Sequence, residues 1–196
     1  MMPLSLSYLS LDTADVSPSE RELAARLRVP KRELPDLRDE IAYLTAVAAP
    51  AAVVAFCERD PEITALLSLD ASPSLCQSHL GLFAVTLGYG VDRLLEREKR
   101  CGISRAYLLD AVASAMAEAA ADAADAALRA LYPDCTFGRR FSPGYGRIGL
   151  SAQAPLLSLL EAGVRLGIRQ SESSLMHPTK TITAILGGTH ENRSCT

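Results

Sequence analysis

The chain has 196 residues, 48% of them hydrophobic and 22% charged, and a formal net charge of −3. This composition belongs to an ordinary folded protein, and its slight acidity lacks the clustered basic excess with which proteins neutralise nucleic-acid phosphates, so no nucleic acid is expected as a partner. The longest weakly polar stretch, around residues 46–56, is cut by Pro50 and runs into Cys57, Glu58 and Arg59, well short of the roughly eighteen apolar residues of a membrane span.

Residues 1–10 carry no basic segment ahead of their apolar ones, so no signal peptide is read there and a cytoplasmic location is the expectation. The five cysteines are scattered and never form a C-x-x-C pair, which fits reduced thiols. Together with His79, His177 and His190 they show no zinc-type ligand spacing.

In chain order, Ser17-Pro18-Ser19-Glu20 reads as an N-cap, a first-turn proline and a capping-box glutamate, predicting a helix to about Leu27. Leu37, Ile41 and Leu44 share one face of a second helix, from Leu34 or Pro35 to Val47. Residues 51–56 and 63–69 are short apolar runs bounded by Pro, Asp and Ser, and both read as strands. Asp70 then caps a short helix through about Ser78.

Residues 81–88 form a buried strand ending at glycine, followed by helical periodicity from Val91 to Lys99. The succession strand, Gly-turn, helix resembles a nucleotide fold, but "LGYG" lacks G-x-G-x-x-G. From Ile103 or Ser104 to about Leu131 runs a long alanine-rich helix, alanine being the best helix former. Its Asp110, Ser114, Glu118, Asp122 and Asp125 recur at steps of three or four and fall on one stripe, which composition alone makes a solvated face.

Residues 132–149 read as a loop, 152–166 as an amphipathic helix, and 168–173 and 179–186 as two strands joined by "SLMHPT". The polar tail from Gly187 is expected to fray. The organisation expected is a helical extension over 1–50, one domain over 51–188 and a flexible tail over 189–196.

The chemistry concentrates in "RRFSPGYGRIGL", residues 139–150. Arg140 brings a planar donor fork suited to a carboxylate, and Tyr145 a flat face with a hydroxyl. Pro143 fixes one dihedral and Gly144 frees another, so Ser142, Pro143 and Gly144 could turn backbone groups towards a ligand. Such a set suits a small molecule bearing a carboxylate, a cation and a ring. Pro-Gly pairs also mark plain turns. Ser142 and His177 make no nucleophile and base, because no G-x-S-x-G elbow or partner acid accompanies them, and no catalytic residue is assigned.

In order along the chain, "LFAVTLGYGVDRLLE", "LLDAVASAMAEAAADAAD", "RFSPGY" and "LGIRQSESSLMHPTKTITAILG" resemble the activation (reactivation) domain of cobalamin-dependent methionine synthase and its small stand-alone relatives. The resemblance covers most of residues 66–188. It implies an α+β fold, a twisted antiparallel sheet flanked by helices, that binds S-adenosylmethionine. The methyl donor would be presented to the cobalamin of a partner, so that one-electron reduction and methyl transfer restore the methylated form. By position, Arg140 would pair the ligand's carboxylate, Ser142 and Pro143 would lie along it with backbone contacts, and Tyr145 would meet the adenosine. Glu118 would reach the ligand's cationic groups.

The sequence lacks the Asp-x-His-x-x-Gly signature of a corrinoid-binding domain. The cobalamin is therefore expected on a corrinoid-binding methyltransferase or a truncated methionine synthase, with a flavodoxin-type electron donor. A second reading is an interaction module that docks on a corrinoid protein without binding S-adenosylmethionine. The N-terminal helices are left with two expected roles, covering the site or forming a homodimer interface.

Overall fold

Two strands are apolar on both faces, and this decides the layering. In β2 (Ala51–Glu58) most residues are buried, and in β3 (His79–Thr86) all but His79. Ala52, Val54, Phe83 and Val85 enter one core, while Val53, Ala55, Leu80, Leu82 and Ala84 enter a second. Side chains alternate along a strand, so these runs are consistent only with a sheet covered on both sides. The computed structural model describes residues 5–69, 75–146 and 148–190.

The sheet also contains β1 (Ser5–Ser10), β4 (Cys135–Phe141) and β7 (Thr181–His190). Its order is β1-β2-β3-β7-β4, antiparallel throughout. That topology excludes the parallel nucleotide fold which the Gly-turn after β3 resembled. β5 (Arg169–Gln170) and β6 (Met176–His177) form a separate ribbon. The protein is thus α+β, as expected.

One face is covered by α1 (Glu20–Leu27), α2 (Arg38–Thr45), α4 (Tyr89–Cys101) and the long α5 (Ile103–Leu131), whose residues share the first core. The other is covered by α3 (Pro61–Leu66), α6 (Gln153–Leu159) and α7 (Ala162–Arg165). Ala113, Ala117, Ala120, Ala121 and Ala124 of α5 are buried. Residues with so little side chain let α5 lie close to the strands beneath it. Gly81 of β3 completes the fit: a Cβ there would stand 2.5 Å from Leu128 Cδ2 and 2.9 Å from Phe137 Cε1.

The structure departs from the sequence reading in several places. Residues 63–69, expected as a strand, belong largely to α3. Asp60 accepts a hydrogen bond from the Ile63 amide at 2.7 Å and Pro61 opens the helix, a start signal that outweighs the apolar run. In α1 the cap is Ser19, which accepts from the Glu22 amide at 3.2 Å, two residues later than expected. The amphipathic helix of residues 152–166 is interrupted at Glu161, whose φ of 50° is left-handed, and becomes α6 and α7.

Strand β1 escaped the sequence reading, since its exposed face and few residues give little alternation to see. The loop expected over 132–149 contains β4. The frayed tail expected from Gly187 is wrong as far as His190, where β7 ends. The helix expected from Asp70 falls in large part on residues 70–74, and the far tail on 191–196, both outside the described residues. No helix among the described residues is long and apolar enough to cross a membrane.

Candidate functional site

The site is built around an irregularity in β4. Phe137 stands opposite Gly188 and Arg140 opposite Leu186, so Gly138 and Arg139 together face the single residue Gly187. This is a β-bulge, and one extra residue reverses the facing of everything after it. Cys135 and Phe137 point towards α5, as their place in the first core shows. In regular alternation Arg139 would follow them and Arg140 would point away. The bulge turns Arg140 onto the α5 face instead, and Phe141 onto the other, where it packs on the second core.

Arg129 of α5 holds the bulge. Its Nη1 donates to the Phe137 carbonyl at 2.8 Å and its Nη2 to that of Gly138 at 2.7 Å, while Nε meets Asp125 at 2.6 Å. Arg140, delivered to the same helix, donates through Nη2 to Glu118 Oε2 at 3.1 Å and through Nη1 to Asp122. Burial works against its charge, but hydrogen bonds and Coulomb attraction from Asp122 and Glu118 outweigh that and hold its pKa above the ordinary value.

The stripe on α5 is therefore more than a solvated face: Asp110 and Asp122 stay exposed, yet its acidic groups are paired. Lys180 Nζ binds Asp110 Oδ1 at 2.9 Å and Ser114 Oγ at 2.8 Å, Arg26 and Arg140 share Glu118, and Arg129 takes Asp125. It is a charged seam to which α1, β4 and the start of β7 are each attached.

After Phe141, the last residue of β4 paired with β7, the chain leaves the sheet. Residues 181–183 of β7 consequently have β3 on one side and, among the described residues, no strand on the other. The turn that follows β4 closes on itself. The Gly144 amide donates to the Ile148 carbonyl at 2.9 Å and the Tyr145 amide to the Ser142 carbonyl at 3.1 Å, with Gly144 and Gly146 at φ of 89° and 63°. Those two amides are used within the turn.

A cleft of about 680 Å³ opens between this turn, α5, α1 and the free edge of β7. Glu118, Arg140, Ser142, Pro143 and Tyr145, five of the six residues singled out in the sequence, line it. Gly144 does not; it shapes the turn and lies against Leu150. Tyr145 is 75% exposed and stands at the rim.

The cleft is also lined by residues that sequence reasoning did not select: Arg26, Arg139, Phe141, Gln153, Met176 and residues 181–183. Met176 and 181–183 lay inside a quoted motif without being named. Gln153 is buried and tied through Nε2 to the Ser174 carbonyl at 2.9 Å. Arg26 gave no local signal, because its place in the site depends on α1 packing across α5. The volume falls in the range of small-molecule sites, and the polar groups converge as such sites require.

The model of the family "vitamin B12 dependent methionine synthase, activation domain" matches residues 69–194, well over half of the chain. The chain belongs to that family. In fold it is similar to the MetH reactivation domain in its crystal structure bound to AdoHcy, with a TM-score of 0.74 and 17% sequence identity over 100% of this chain and 81% of that one. At that identity the likeness is one of architecture. No curated protein matches the chain in sequence.

The family match begins at residue 69, so within this activation-domain chain α5, β4, the Ser-Pro-Gly-Tyr turn and β7 lie inside it. Strand β1 and helices α1 and α2 lie outside it. Arg26 thus brings to the cleft a charge from outside the residues that the family model matches.

Proposed function

We propose that the cleft binds S-adenosylmethionine and that the protein supports the reductive remethylation of a cobalamin carried by a partner methyltransferase. The observation that carries this reading is the convergence of Arg140 and Glu118 in one cleft of an activation-domain fold, one a donor fork and the other a carboxylate. The ligand needs both at once, a cation for its carboxylate and an anion for its ammonium and sulfonium.

In this reading Arg140 keeps Asp122 as an anchor and turns its fork to the ligand's carboxylate. Glu118 faces the ligand's positive charges, an attraction that grows as the cleft excludes water. Ser142 and Pro143 form the wall along the ligand, Gly144 shapes the turn, and Tyr145 lies over the adenosine at the rim. The open edge of β7 at residues 181–183 has backbone groups free of a second strand. When bound, S-adenosylmethionine supplies an electrophilic methyl group. The cobalamin is expected on a corrinoid-binding partner such as a truncated methionine synthase, and the electron on a flavodoxin-type donor.

Calorimetric titration of the full chain with S-adenosylmethionine tests the reading. Arg140→Ala is expected to weaken binding by about 2–5 kcal/mol, through loss of a partly buried charge-assisted pair. Binding that is absent in the wild type, or unchanged in the variant, refutes it.

A second reading is favoured by one feature, the pairing of Arg140 and Glu118 with each other inside the cleft. Under it the fold docks on a corrinoid protein through the exposed Tyr145, Leu150 and Leu175 and does not use the methyl donor. The titration is then silent while the corrinoid partner is still retained in a pull-down.

A further inference from the structure

Among the residues that line the cleft, Arg26, Arg139 and Arg140 meet one carboxylate, Glu118, while Glu22 and Asp122 hold Arg26 and Arg140 from outside the lining. Both oxygens of that carboxylate are already occupied by the protein's own cations, Oε1 by Arg26 Nη2 at 3.0 Å and Oε2 by Arg140 Nη2 at 3.1 Å. A ligand cation that approaches Glu118 must displace a guanidinium or share the carboxylate with it.

Besides Arg140, which turns to the ligand's carboxylate, Arg26 is free to move. Its Nε also holds Glu22 Oε1 at 2.8 Å, one turn back on α1, so it keeps a partner after leaving Glu118. Its side chain is 37% exposed, against 25% for Arg140. Having moved, it still stands beside the cleft, because Glu22 and α1 restrict how far it can go.

We propose that Arg26 is a specificity-determining residue that sets the charge preference of the cleft. It acts as the protein's own cation in the position of the ligand's, and biases the site from the positively charged methyl donor towards its demethylated, uncharged thioether, S-adenosylhomocysteine. The inference rests on the cleft being the S-adenosylmethionine site. It also gives α1, outside the family-matched segment, a direct influence on ligand choice.

The two ligands share adenosine, carboxylate and ammonium and differ by one methyl group and one positive charge. The ratio of their dissociation constants therefore cancels most contacts and reports the charge. Repulsion between a guanidinium and a sulfonium several ångströms apart in a half-exposed cleft corresponds to a factor of roughly three to thirty in that ratio.

The test is calorimetric titration of both ligands into the full chain as wild type, Arg26→Gln and Arg26→Lys, with circular dichroism to confirm folding. Arg26→Gln is expected to shift the ratio towards S-adenosylmethionine by roughly three- to thirtyfold, and Arg26→Lys to keep the wild-type ratio. In the wild type, raising salt from about 50 mM to about 500 mM should move the ratio in the same direction, because it screens the repulsion. This arm holds even if the glutamine variant fails to fold. A ratio unmoved by Arg26→Gln, or by salt, overturns the inference while leaving the ligand reading intact. Absence of binding by both ligands in all three proteins overturns the ligand reading and the inference with it.

Discussion

Arg140 and Cys57 show how one residue's neighbours decide what it can do. Arg140 is a surface-type residue whose fork is fixed by Asp122 and Glu118, and so it is aimed before any ligand arrives. Cys57 has the opposite surroundings. It is buried in the second core, its Sγ lies 3.9 Å from the Leu80 carbonyl, and burial, with a smaller contribution from Asp60, pushes its thiol up to about 11. The folded state therefore binds this proton more tightly than the unfolded state does. Its contribution to stability is complete below the ordinary thiol pKa and is lost as pH rises from about 9 to about 11, a change of about 2 kcal/mol. Urea unfolding at both ends of that window should show a larger loss in the wild type than in Cys57→Ala. Gly81 carries a steric constraint instead. Gly81→Ala places a methyl group against Leu128 and Phe137 and is expected to cost about 1–3 kcal/mol, read as a lower denaturation midpoint.

At the scale of elements, the bulge in β4 and the helix that pins it determine the site. The sequence "CTFGRRF" hides the strand because the bulge breaks the period-two pattern on which strand reading depends, and Gly138 adds a second interruption. The same break is what gives Arg140 its direction. Arg129→Ala removes two donors from the carbonyls of Phe137 and Gly138. It is expected to lower stability by about 1–3 kcal/mol and to weaken ligand binding several-fold although Arg140 remains. Parallel denaturant and calorimetric titrations separate the two effects. The long helix, by contrast, was legible to within a residue at each end, because twenty-nine residues rich in alanine leave little else for the backbone to do. What its acidic stripe does was not legible. The partners Lys180, Arg26 and Arg140 come from sequence positions far away, and no periodicity reports them.

At the scale of the whole molecule, the N-terminal residues belong to the same packed body as the rest. β1 pairs with β2 along six residues, and Leu23, Leu27, Leu37 and Leu44 enter the core that holds α5. Removing residues 1–50 would uncover the edge of β2 and an apolar face of α5. The shortened chain is expected to melt earlier or to aggregate, measured by thermal unfolding and size-exclusion chromatography. The sequence by itself determined the alanine helix, the apolar strands over 51–56 and 81–88 and the turn around Pro143, while the α+β class was what its resemblance to the activation-domain family implied. The helix, the strands and the turn are written in local composition and in spacings along one element. Only the tertiary structure decided the facing of Arg140, the edge of β7 left open at residues 181–183, the pairing of the acidic stripe and the presence of Arg26 in the cleft. These depend on strand register and on contacts between distant segments, which are settled when the two cores close around the sheet.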